Sequence, residues 1–249
     1  MKNISRIWNN RLLGLSLVLI SISIYYLQVV LFHDARNTTF YILQDLAFVP
    51  LQVLIVTLIL EQILNAREKR EIKRKQNVVI NVFYSEVGTK GIALMAPYVN
   101  NIHRLQELLD INVNWKDEEF KNALKGVNAF QLDINSQNGN LDKLLDLLTT
   151  KKAFMLSLFE NTNLLEHDTF TDMLWAIFHL MEELESRESL HSLPSKDLEH
   201  LSVDLTRAYK TLVVQWIYYM NHLRREYPYL FSLAVRKSPF NQDASVIIN

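Results

Sequence analysis

The sequence predicts an all-α protein: an N-terminal two-helix transmembrane hairpin followed by a cytosolic helical bundle. Three observations carry that expectation. Residues 12–32 (LLGLSLVLISISIYYLQVVLF) hold no charged residue, and residues 40–60 (FYILQDLAFVPLQVLIVTLIL) hold only Asp45. Each stretch supplies the ~20 apolar residues that cross a hydrocarbon core at ~1.5 Å per residue. Beyond Leu64 the apolar residues recur at three- and four-residue spacing, with five glycines in the 249-residue chain and almost no strand-like alternation.

The first apolar stretch follows a basic leader, MKNISRIWNNR. It is too long for the core of a signal peptide, and no A-x-A-like cleavage site follows, so it reads as a retained span. The loop at 33–39 (HDARNTT) contributes one cation, Arg36, whereas Lys2, Arg6 and Arg11 precede the first span and six more follow the second. The positive-inside rule then places both termini in the cytoplasm, in a multi-pass protein of a bacterial inner membrane. Residues 1–64 form the hairpin on this reading. Residues 65–97 form a juxtamembrane helix that continues the second span to at least Gly88, because no proline falls between Pro50 and Pro97. Arg67, Lys69, Arg70, Lys73, Arg74 and Lys75 fix the topology and also suit anionic lipid headgroups, at ~1 kcal/mol per cation.

Residues 98–236 read as the cytosolic bundle. Helices are expected over 98–111 and 117–125, then a polar break (AFQLDINSQNGN), then a helix capped by Asn140. In that helix Leu141, Leu144, Leu145, Leu148, Met155 and Phe159 share one face. The next stripe is Phe170, Met173, Leu174, Ile177, Met181 and Leu184. After SLPSK a long helix runs to about Tyr227, burying Leu198, Leu201, Leu205, Tyr209, Leu212, Trp216, Met220 and Leu223. Pro228 stops or kinks it, YLFSLAV forms a short helix, and 237–249 is a loose tail.

The spans keep polar groups that lipid disfavours. Asp45 and Gln52 lie seven residues apart, hence on one helical face, and Pro50 between them frees a backbone carbonyl. Gly14, Ser21, Tyr25 and Gln28 make a small and polar stripe on the first span. Two readings stand: close packing of the hairpin, or a water-filled pore assembled from several copies. Either one favours a homo-oligomer, since two helices alone cannot hide a polar stripe on each.

Composition excludes several chemistries. The net charge of −1 conceals a basic first part, with ten cations against five anions in residues 1–76, and an acidic remainder near −6. An acidic soluble part argues against direct nucleic-acid binding. Without cysteine there are no disulfides, thiolate metal sites or cysteine nucleophiles. Asn37-Thr38-Thr39 is a glycosylation sequon by pattern alone. Phosphate loops, dinucleotide fingerprints, nucleophile elbows and the H-E-x-x-H zinc motif are all missing. His179 and Glu183 have the i, i+4 spacing of metal ligands, and His167-Asp168 with His103 and Asp204 has the residue types of an HD phosphohydrolase. On single-helix wheels, however, His179 and His200 fall opposite the apolar stripes, which makes the histidines solvated or capping residues. Arg187 and His191 are spaced too closely for a HEPN ribonuclease motif. The expectation is therefore no catalytic residue, no metal and no cofactor, with Trp175, off the main stripe, as the candidate protein-partner contact.

The segments FTDMLWAIFHLMEEL and YPYLFSLAVRKSPF resemble pieces of bacterial membrane proteins of unknown function. The overall plan is similar to two-span membrane effectors of antiphage systems of the retron and abortive-infection type. That resemblance implies an oligomeric effector whose cytosolic domain senses or holds a protein partner and controls a polar-lined membrane assembly, depolarising or permeabilising the membrane in antiviral defence. The alternative is a membrane-tethered scaffold or regulator without a pore, and the third reading is a membrane-anchored metal-dependent hydrolase.

Overall fold

The structure, a computed structural model, describes residues 2–33, 35–241 and 246. Among these the chain is all-helical, and its single extended pairing is an isolated antiparallel bridge between Val99 and Ile134. It divides into two compact units, Met1–Glu68 and Lys69–Asn249.

The first unit holds α1 (Lys2–Phe32) and the N-terminal part of α2 (Ala35–Phe83). His33, at φ 49°, closes α1, its N–H bonding the Val29 carbonyl at 3.0 Å. A left-handed residue there ends a helix because it turns the chain off the helical path. The turn is tighter than the seven-residue loop expected, since Asn37, Thr38 and Thr39 already lie in the first turns of α2. Pro50 sits inside α2 without ending it. Among the described residues one helical stretch, Arg36–Tyr98, is by length and composition able to cross a membrane, and none of its most apolar window is buried. Leu15–Leu31 is a shorter apolar helix. Leu15, Leu19, Ile22 and Ile24 on α1, and Leu43, Leu46, Val53 and Leu64 on α2, each leave more than half of their surface uncovered.

In the second unit the end of α2 enters the core through Ile80 and Phe83. The helical path does reach Gly88, but over Tyr84–Gly88 it widens into one π-helical turn before α3 (Thr89–Met95) and a 3-10 turn, Ala96–Tyr98. A Cβ on Gly88 would stand 2.5 Å from the Tyr84 ring, so the widened turn requires glycine there. Tyr84 is fully buried; it donates to the Leu212 carbonyl at 2.9 Å and stacks on Tyr219 at 4.7 Å. Part of the segment expected to be a juxtamembrane helix is thus bundle core, contributing Phe83, Tyr84, Ile92 and Met95.

Two expected helices are broken. Only α4 (Ile102–Leu108) forms within 98–111. The backbone before it is taken up elsewhere: Asn100 N–H bonds Asp133 O at 2.8 Å, and Asn135 N–H bonds Tyr98 O at 2.9 Å. Residues 141–159 split at Lys151 (φ −98°, ψ 5°) into α6 (Leu141–Thr150) and α7 (Lys152–Phe159), following α5 (Asp117–Ala129). Asn140 caps α6, accepting from Lys143 N–H at 2.9 Å. The short α8 (Thr162–Leu165) precedes α9 (Asp168–Glu185). The centre of the core is α9 against α10 (Ser195–Glu226), with both expected stripes buried apart from half-buried Leu198. Pro228 opens α11 (Pro228–Arg236), where its missing N–H costs no helical bond.

Candidate functional site

Helices α9 and α10 run antiparallel, and beside their apolar contact lies a polar seam of one-turn steps. Along α9 and just past its end the steps are His179, Glu183 and Arg187; along α10 they are Asp204, His200 and Asp197, in opposite order. Residues one turn apart share a face, so the two rows meet rung by rung. His179 Nε2 is 3.5 Å from Asp204 Oδ1. His200 Nε2 is 3.6 Å from Glu183 Oε2 and 3.3 Å from Asp204 Oδ2. Arg187 grips Asp197 with two bonds, Nε–Oδ2 at 2.8 Å and Nη2–Oδ1 at 2.7 Å, and reaches Glu183 Oε2 at 3.0 Å.

Burial sets the electrostatics. The Asp204 side chain is 2% exposed, while His179 and His200 are 44% and 53% exposed, so the seam opens to solvent on its histidine side. Asp204 Oδ1 accepts from Arg207 Nη1 at 3.2 Å, whereas Oδ2 is buried without a hydrogen bond. A buried carboxylate oxygen in that state is costly, since burial strips its water without replacing it. The hydrogen bond from Arg187 holds the Glu183 carboxyl below its ordinary range against the opposing effect of partial burial, and the same guanidinium lowers Asp197.

This arrangement corrects the expectation that His179 and His200 simply face away from the bundle. Each does lie off its own helix's stripe, but a wheel drawn for one helix omits the neighbour, and the flanks of α9 and α10 face each other. His179 Nε2, Asp204 and Glu183 Oε1, the last 3.9 Å from His179, form a trio whose ligand atoms all lie within 4.8 Å of one another. The HD-type set does not assemble. His167 N-caps α9, its Nδ1 accepting from Phe170 N–H at 3.3 Å, and it precedes His179 by twelve residues, ~18 Å along the helix. His103 is exposed on α4. His191 is exposed and faces Asp142 at 3.6 Å.

Trp175 is 59% exposed and lies against Phe159 of α7 at 4.6 Å. The six cations from Arg67 to Lys75 are exposed on α2. Within the first unit, Tyr25 donates to Asp45 Oδ2 at 2.7 Å, joining the two helices. Ser23 and Thr57 donate to their own helices' carbonyls. Among the described residues Ser21, Gln28 and Gln52 make no side-chain hydrogen bond; Gln28 is half-buried, Ser21 and Gln52 are exposed. Gly14 lies in α1, with its surroundings outside the described side chains. The π turn borders a cavity of about 430 Å³ whose lining is largely apolar and aromatic, with Tyr84, Trp216, Tyr219 and Leu233, and includes two cations, Lys90 and Lys237.

Comparison with known proteins follows the same two-part division. Residues 3–64 match the family domain described as "MJ1433, N-terminal helical domain", and residues 72–236 match "Uncharacterized protein MJ1433, C-terminal helical domain". A relative from Methanocaldococcus jannaschii, "Uncharacterized protein MJ1433", is 38% identical over 236 residues, covering 95% of each chain. No solved structure matches. With both family domains present in order and near-complete coverage by that relative, the chain belongs to the MJ1433 family.

Proposed function

We propose that the chain is an integral membrane protein whose first two helices cross the bilayer as a hairpin and self-associate, and whose helical domain acts as a regulator held at the cytosolic face. The carrying observation is the uncovered apolar surface of both helices in the first unit. In water such a surface is a large unfavourable area; in hydrocarbon it is the required one. The polar groups fit a lipid setting, because Asp45 is bonded by Tyr25 and the Ser23 and Thr57 hydroxyls are bonded within their own helices. The exposed cations that follow suit anionic headgroups on the cytosolic side.

Gln52 supports self-association: a carboxamide deep in a span, with no hydrogen bond among the described residues, finds a partner in another copy. It also keeps a second reading, the effector with a polar-lined membrane assembly, because the same group can line water once copies gather. The test is topology. Reporter fusions after residue 76 and at the C-terminus should both report cytoplasm, and the full chain should resist carbonate extraction. Release by carbonate, or an extracytoplasmic signal at either position, overturns the reading.

A further inference from the structure

We propose that the α9–α10 seam binds a divalent transition-metal ion of the zinc class, held by His179, Glu183 and Asp204. Ligand chemistry is the first argument. An imidazole with two carboxylates is a mixed nitrogen and oxygen set suited to zinc and its neighbours, and the absence of cysteine removes softer alternatives. Spacing is the second. Bonds of ~2.0–2.2 Å to a tetrahedral ion set ligand atoms ~3.3–3.6 Å apart. His179 Nε2 stands 3.5 Å from Asp204 Oδ1 and 3.9 Å from Glu183 Oε1, and the three ligand atoms all lie within 4.8 Å of one another, so an inward shift of Glu183, which is 28% exposed, brings the trio toward that spacing.

Burial points to a cation independently of the clustering. Asp204 is almost wholly buried at the seam, and its Oδ2 has no hydrogen bond. Fold stability alone does not favour an unsatisfied buried carboxylate oxygen, whereas a cation at the seam offsets that cost directly. Charge balances as well: two carboxylates neutralise a dication, Arg187 is committed chiefly to Asp197, and Arg207 is 54% exposed and free to swing into water. Three ligands leave a coordination position on the exposed histidine side for water or an anionic ligand.

The experiment uses the full chain, without a polyhistidine tag, purified in detergent and stripped with a chelator. Zinc is titrated, bound metal is counted after desalting, and thermal unfolding is followed with and without zinc. About one zinc per chain is expected, with a higher Tm in its presence. His179→Ala and Glu183→Gln should keep the fold, since both side chains are partly exposed, and should weaken zinc binding roughly tenfold to a hundredfold. His191→Ala, outside the trio, should bind as the wild type does. Asp204→Asn should abolish both binding and the zinc-dependent rise in Tm. Equal zinc binding by the wild type and His179→Ala, or a wild-type Tm indifferent to zinc, overturns the proposal and leaves the seam an ion-pair ladder.

Discussion

Single residues show how tightly the second unit constrains its polar break. Gly139 sits under the fully buried Tyr98, and an added Cβ would stand 2.4 Å from the ring. Tyr98 cannot move away easily, because its backbone accepts from Asn135 and leads directly into the Val99–Ile134 bridge. Gly139→Ala should therefore cost about 1–3 kcal/mol by overpacking, read as a lower urea midpoint at unchanged slope. A midpoint within error of wild type would mean that the ring yields. The sequence marks Gly139 only as part of a polar break, since what Gly139 must accommodate lies forty-one positions earlier in the chain. Asn140 and Pro228 were legible for the opposite reason: capping and proline geometry are local, and both act within one helical turn of themselves. His179 and Asp204 lie between those cases. Their types and one-turn spacings are visible in the sequence, but their meeting depends on the register of two helices.

At the scale of elements, the stripes of α9 and α10 were readable because burial imposes a 3.6-residue period on a long helix. The split between α6 and α7 was not, since Lys151 interrupts a run whose apolar spacing continues across the break. The π turn was likewise hidden, as no residue type announces one. The α9–α10 seam makes a pH prediction. Arg187 lowers the folded-state titration of Glu183 and Asp197, so the unfolded chain takes up protons more readily than the folded one. The associated stability is present above the ordinary carboxylate range of about 3.9–4.3 and is lost as pH falls through the lowered folded values. Arg187→Met removes the cause of both shifts. Its chemical-denaturation midpoint should decline less steeply between neutral pH and the acid limb than the wild-type midpoint does. Parallel declines in the two proteins would show that the Arg187 pairs contribute nothing to acid sensitivity.

Across the whole molecule, the division into an apolar N-terminal part and an amphipathic remainder was legible because hydropathy changes sharply, and structural units and family domains divide within a few residues of that change. Where the remainder begins was less clear, since residues 76–97 carry core side chains on the same continuous helical path as the apolar run. If the first two helices cross the membrane as proposed, their polar groups separate intrachain packing from assembly. Tyr25 and Asp45 belong to one chain's hairpin, so Tyr25→Phe should loosen that hairpin while leaving crosslinked oligomer size unchanged. Gln52 has no such partner among the described residues, so Gln52→Leu should instead shift crosslinked material toward monomer, at about 0.6–2 kcal/mol for each interhelical bond lost. Insertion should be retained or improved, because leucine is the better lipid-facing residue. Membrane potential measured on the same variants divides regulator from effector: if the assembly lines water, Gln52→Leu abolishes the depolarisation that follows induced expression of the wild type. An unchanged oligomer in Gln52→Leu would remove the basis for self-association through the spans, and a smaller oligomer from a wild type that never depolarises the membrane would leave a pore-free regulator.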